Sequence, residues 1–193
     1  MSTGVDGHGT DMVLVLEQLA NATPELVARF GAALPENCFT ISPSLVQPTS
    51  RGRVRLASSD WRDPPIIEPN LLGTDRDLEA TRRGAEAARE LVNQKAFDAI
   101  REAELIPGPK VRTKEELLDF VRTGTASFGH PMGTARMGTD ADAVVDSELR
   151  VHGLRGLRVA DASVMPSIPS GATNAPAIMI GGRAAEFIRA DFK

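Results

Sequence analysis

Two polar residues in the last third of the chain, His130 and Asn174, stand in glycine- and alanine-rich surroundings that suit a close approach of backbone to a ligand. His130 lies in SFGHPMGTARMG, where Gly129, Gly133, Gly138 and Pro131 disfavour a regular element over the whole stretch. An imidazole titrates nearest neutrality, so it can take a proton from a hydroxyl within hydrogen-bond reach. The same residue could equally be a buried histidine bonded to a backbone carbonyl. Asn174 lies in SGATNAPAIMIGGRAA, where an irregular Gly/Pro/Asn segment runs into an apolar helix. Its type and place predict an N-cap, at a helix start whose N–H groups and positive dipole end could face an electron-rich ligand. Between the two, Asp161 follows the apolar segment LRVA, beyond the carboxyl end of a predicted strand, where α/β sheets place ligand contacts. Its alternative role is a cap for the following loop.

The elements that must position these residues are legible upstream. MSTGVDGHGTD is small, polar and glycine-rich and is expected to be a loose end over residues 1–11, with His8 solvated. MVLVLEQLA, from Met12, fits a buried strand or a short helix. Thr23 and Pro24 open a predicted helix with Leu26, Val27 and Phe30 on one face. The alternation from Arg51 to Leu56 predicts a half-exposed strand, and a second β segment is expected at Ile66 and Ile67. Three arginines in that first strand could bind phosphate, but alternation favours a solvated face. A long helix is expected from Thr74 to Asn93, with Leu78, Thr81, Ala85, Ala88 and Leu91 or Val92 inside and Arg82, Arg83, Glu86, Arg89 and Glu90 outside. Thr113 and Glu116 predict a capping box for a helix ending at Gly124. Short β segments are expected at Val144–Val145 and at 157–160, with the turn HGLRG between them and His152 exposed in it.

Composition narrows the function classes. With 193 residues the chain has about the length of one domain. A net charge of −4 with both signs mixed argues against nucleic acid and anionic membranes as partners. One cysteine, Cys38, excludes an intrachain disulfide and a cysteine zinc cage, and no metal site is expected. No apolar run approaches the roughly 20 residues of a membrane helix, so a soluble, cytoplasmic protein without a transmembrane segment is expected.

Taken together, SRGRVRL at 50–56, PPIIEPNLL at 64–72, GHPMGTARMG at 129–138, LRVADASVMPSIPSG at 157–171 and TNAPAIMIGGRAA at 173–185 resemble the carboxyl-terminal part of the glucose-methanol-choline (GMC) flavoprotein oxidoreductases. The resemblance implies an α+β fold: a mixed β-sheet portion of a substrate domain with packed helices, plus a carboxyl-terminal strand and helix belonging to an FAD-binding α/β domain. It divides the chain into residues 12–137, the substrate-domain portion including the His130 loop, and residues 138–193, which return to the FAD domain. It implies an enzyme acting on CH–OH donors, with FAD as cofactor and a small-molecule alcohol as substrate. His130 becomes the base that takes the hydroxyl proton, and Asn174 the amide that orients the substrate oxygen. Asp161 and Ala162 contact the pyrophosphate-ribityl arm of the flavin, while Asn174, Ala175 and Pro176 run along the pyrimidine side of its ring.

The GxGxxG unit that grips the ADP half of FAD in this family has no counterpart in residues 1–127. The expectation is therefore an enzyme portion completed by a separate chain carrying that unit, with a non-catalytic remnant as the alternative. The helix after Asn174 is apolar on several sides, through Ile178, Met179, Ile180, Phe187 and Ile188. Alone, the chain is expected to associate and to bind hydrophobic dyes; a clean monomer in light scattering with no dye binding contradicts this.

Overall fold

The computed structural model describes residues 1–5, 9–30 and 34–192, and His8 lies outside them. The elements run β1 (Met12–Glu17), α1 (Pro24–Phe30), β2 (Thr40–Leu45), β3 (Arg53–Arg55), β4 (Ile66–Glu68), α2 (Asp75–Val92), α3 (Lys114–Gly124) and α4 (Asn174–Asp191). Short 3-10 turns cover Lys95–Phe97 and Ala162–Val164. The chain forms two compact units, Met1–Arg51 with Asn70–Ala126, and Gly52–Pro69 with Ser127–Lys193. The whole His130 loop belongs to the second of these units.

In the first unit, β1 and β2 pair antiparallel, with Met12 opposite Leu45 and Glu17 opposite Thr40. A partner strand settles the ambiguity of MVLVLE, since its backbone groups pair across the ladder. Helix α2 packs on this ribbon at Gly84, where an added Cβ would come within 2.9 Å of Met12 and Pro43 side-chain atoms. Its Leu78 and Ala85 meet Leu117 and Val121 of α3 in a core that also takes in Val111, Phe30 and Phe120. Phe30 and Phe120 meet edge to face at 5.3 Å. The caps form as their residue types predict. Thr23 Oγ1 accepts from Leu26 N at 3.2 Å, Thr74 Oγ1 from Asp77 N at 3.2 Å, and Thr113 with Glu116 closes a capping box.

Several side chains of this unit depart from the pattern. Asp77, in the first turn of α2, is fully buried. Its carboxylate accepts from the backbone N–H and hydroxyl of both Thr49 and Ser50, at 2.5–3.0 Å. Burial pushes its pKa up, but the hydrogen bonds from Ser50 and Thr49 outweigh this and hold it below the usual value. Arg82, expected outside, is buried between Glu79 and Glu86, its charge matched along the helix one turn in each direction. The hydrogen bond from Arg82 is the main reason that Glu79 is lowered to about 2. Of the alternatives Leu91 or Val92 expected inside, Leu91 is exposed and Val92 is half-buried. The described part of the polar start is tied down where its composition predicts a loose end: Thr3 N and Oγ1 donate to the buried Asp11, and the Met1 ammonium to Met12 O at 2.7 Å.

The second unit holds β3 and β4, paired antiparallel with Arg53 opposite Glu68 and Val54 opposite Ile67. Arg53 and Arg55 both pair with Glu68, as alternation on one exposed face requires. The ribbon is exposed on its other face too, at Val54 and Ile67. The α+β class stands, but the expected mixed sheet does not: among the described residues the sheets are two antiparallel ribbons. The segments at 144–145 and 157–160 make isolated bridges only, Met137 with Val145, Val145 with Val151 and Arg150 with Arg158. A strand needs a continuous neighbour, and these segments have partners at single positions. No described helix is long and apolar enough to cross a membrane.

Replacing Asp77 by Ala leaves four partly buried donors without this acceptor and is expected to cost about 1–3 kcal/mol at pH 7 by urea unfolding. Because the folded carboxyl titrates low, this stability is present above the unfolded value of about 3.9 and is lost as pH falls through the folded one. The gap between wild type and variant should therefore close in acid; a gap unchanged below pH 3 contradicts the assignment.

Candidate active site

The His130 loop is held by its backbone. Gly133 N donates to Ala162 O at 3.4 Å, Ala135 N to Ser163 O at 3.0 Å and Met137 N to Val164 O at 2.8 Å. These bonds lay residues 133–137 along the 3-10 turn that follows Asp161. The segment 136–138 is bonded in turn to Val144 and Val145, and the hairpin through 149–159 closes by Val151 N to Leu157 O and Val159 N to Leu149 O. Gly153 and Gly156 supply the positive φ that the HGLRG turn demands. Beneath the loops, Val145, Leu149, Val164 and Met165 pack against Ile180 and Ala184 of α4, with Met132 and Met137 from the His130 loop at the edge. The far end of α4 is fastened as well: Asp191 accepts from Arg158 at 2.8 Å and from Arg150 at 3.3 Å.

His130 is half-buried, and Phe128 meets its ring edge-on at 5.4 Å. Its Nδ1 lies 3.3 Å from Thr173 Oγ1. Thr173 immediately precedes Asn174, so this contact brings the histidine loop to the start of α4. The expectation that Asn174 caps the helix is corrected: Thr173 is the N-cap, and Asn174 is the first helical residue, with its side chain exposed. Thr173 makes no capping bond, because its backbone is helical (φ −81°, ψ −7°) and the third helical residue, Pro176, has no N–H to offer. Helix geometry leaves the N–H groups of Asn174 and Ala175 outside the i→i−4 ladder, whose first bond is Ala177 N to Thr173 O.

Asp161 caps the 3-10 turn, its Oδ1 accepting from Ser163 N at 2.7 Å. Hydrogen bonds from the Ser163 side chain and backbone lower its pKa, so it is a carboxylate at neutral pH. Ala162 is half-buried and its carbonyl receives Gly133 N and Met165 N. His152, given no role by the sequence, is exposed with Nε2 3.1 Å from Gly138 O. Among the described residues no group of three His, Cys, Asp or Glu side chains could hold a metal ion.

Chemically, the cluster offers one titratable ring and a helix start with unladdered amides. If Nδ1–H donates to Thr173, the Nε2 lone pair is available to accept a proton. The donor set suits the electron-rich ring and phosphate arm of a flavin: helix-start amides by the histidine and a main-chain turn at Asp161–Ala162. The sequence did not point to Thr173. The one available signal was a Thr directly before the helix, with proline at the third helical position. Gly133 is the hinge of the loop, at φ +84° with an added Cβ 3.3 Å from Met165 O. Gly133→Ala is expected to lower stability by about 1–2 kcal/mol and to loosen the His130 loop, read by thermal unfolding and by amide exchange at Ala135 and Met137; unchanged exchange would refute the hinge.

Comparison with known proteins agrees with this arrangement. Residues 48–181 match the carboxyl-terminal model of the GMC oxidoreductases. The chain is 44% identical over 154 residues to the oxygen-dependent choline dehydrogenase of Pseudomonas fluorescens strain Pf0-1, covering 80% of this chain and 27% of that protein. It is 43% identical over 157 residues to the corresponding enzyme of Escherichia coli O127:H6, covering 81% and 28%. Among solved structures, pyridoxine 4-oxidase from Mesorbium loti superposes with a TM-score of 0.75 at 37% identity, over 80% of this chain and 30% of that one. A variant of formate oxidase from Aspergillus oryzae RIB40 gives 0.77 at 33% identity, over 81% and 28%. The chain thus spans under a third of the length of these relatives. By motif order, matched span and fold, this chain belongs to the GMC oxidoreductase family and carries its carboxyl-terminal portion.

Proposed function

We propose that the chain is the carboxyl-terminal portion of an FAD-dependent oxidoreductase that removes a hydride from the carbinol carbon of a small alcohol, with His130 as the base. The observation that supports this reading is the 3.3 Å contact between Thr173 Oγ1 and His130 Nδ1, which joins the histidine loop to the helix start. Relatives named for choline and pyridoxine, both alcohols, support the substrate class. Bound, FAD supplies the hydride acceptor. His130 Nε2 accepts the hydroxyl proton as the carbon–hydrogen bond breaks, so that negative charge building on the oxygen drives hydride out. The Asn174 amide donates to that oxygen and orients it; an amide cannot serve as a base. The unladdered N–H groups of Asn174 and Ala175 and the positive end of α4 favour negative charge on the ring, and Pro176 stiffens this turn. Asp161 and Ala162 would hold the pyrophosphate-ribityl arm through the main chain, since the Asp161 carboxylate is engaged by Ser163.

In this reading residues 138–193 return to the FAD-binding domain and residues 12–137 form part of the substrate domain. An amino-terminal nucleotide-binding portion completes the flavin site, and the protein works in the cytoplasm. Ile178 and Met179 are 69% and 57% exposed on α4 and suit burial against that portion. The test is to purify the chain alone and with a chain bearing the nucleotide-binding unit, then record flavin absorbance and alcohol turnover. Flavin is expected in the complex, with His130→Ala reducing kcat about 100- to 10,000-fold. Absence of flavin from both preparations sinks the reading, and turnover retained after His130→Ala sinks the base.

A further inference from the structure

We propose that the outer edge of β1, at Leu14 and Leu16, is a strand-addition site that receives an extended apolar segment of the protein's amino-terminal portion. The occupant rests on the reading that such a portion completes the flavin site; the open edge does not. Along an antiparallel pair the main-chain groups of successive residues point alternately toward the partner strand and away from it. Asp11 O accepts from Val46 N at 2.9 Å, on the β2 side. Met12 faces the other way: its N–H donates to Met1 O at 3.1 Å and its carbonyl accepts from the Met1 ammonium at 2.7 Å, the two-bond exchange of an antiparallel pair. With Met12 opposite Leu45 and Glu17 opposite Thr40, Val13, Val15 and Glu17 then bond to β2, while Leu14 and Leu16 turn their N–H and C=O outward. Among the described residues nothing pairs with those outward groups.

The two edges of this ribbon are not alike. The outward positions of β2 are Ile41, Pro43 and Leu45, and Pro43 has no N–H to offer a neighbour. β1 has neither proline nor charge from Met12 to Leu16, and Val13 and Leu16, on its opposite faces, are 38% and 57% exposed. An unguarded apolar edge of this kind is a template for another strand, which would pair its main chain and cover both faces. Length and register point to the occupant. The match takes in 27% and 28% of two curated relatives, so most of a relative's length lies outside it. A second copy paired two-fold about Val15 needs its Gln18 opposite Met12, where Met1 already sits. A segment of the amino-terminal portion is not bound by that symmetry and can end at Leu14, beside Met1.

The test follows amide hydrogen exchange in the full chain alone and in its flavin-loaded complex with the chain bearing the nucleotide-binding unit. Alone, Val13 and Val15 should exchange slowly, and Leu14 and Leu16 fast. In the complex Leu14 and Leu16 should slow by about 100-fold or more. Leu16→Pro removes an outward N–H at the kind of position where β2 already carries Pro43, so the isolated chain should keep its circular dichroism and the protection of Val13. Its association with the other chain should weaken about tenfold or more. Fast exchange at Leu14 and Leu16 in the flavin-loaded complex overturns the proposal, and so does a folded Leu16→Pro chain that associates as tightly as wild type. If Leu16→Pro does not fold, the wild-type exchange decides. Protection of both amides in the chain alone, rising with its concentration, gives the edge to a second copy and overturns the occupant. Failure of the two chains to associate overturns the site together with the proposed function, whereas a flavin-loaded, active complex with both amides still fast overturns the site alone.

Discussion

The second unit depends on three backbone hydrogen bonds, from the amides of Gly133, Ala135 and Met137 to the carbonyls of Ala162, Ser163 and Val164. Neither partner is a regular strand, so neither segment has a ladder of its own to satisfy its polar groups. Each becomes ordered by the other. The pairing also explains the density of glycine in the loop: at Gly133 the chain passes with positive φ, and a Cβ would crowd the carbonyl of Met165.

Helix α4 closes the arrangement from below and is fastened at both ends. Ile180 and Ala184 enter the core under the paired loops, Asp191 is clamped by two arginines of the hairpin, and Thr173 reaches the histidine. The helix start and the His130 ring thus meet through one side-chain contact. The contact joins two segments that lie 43 residues apart in the chain.

The first unit shows a different economy. Its long helix is held by its apolar face and by one buried carboxylate, Asp77, that gathers the irregular Thr49–Ser50 segment onto the helix start. A charge can be buried there because four donors surround it, and the same logic places Arg82 between two glutamates. Helical periodicity assigned Arg82 to the solvent side. Periodicity reports the average polarity of a face and carries no information about which polar groups meet a complement.

What the sequence by itself determined was local or cumulative. The caps at Thr74 and Thr113, the span of α2, the turn glycines at 153 and 156, and the arginine alternation of β3 all follow from rules within a few residues. The family followed from motif order across 48–181, where many weak signals add. Only the tertiary structure decided that 157–160 makes a bridge and not a sheet strand, that the start is tied through Thr3 to Asp11, and that Thr173, not Asn174, occupies the N-cap position of α4. Each of these turns on a partner distant in the chain. The 43-residue gap between His130 and Thr173 is the clearest case: no spacing rule spans it, and only the fold brings the hydroxyl to the ring.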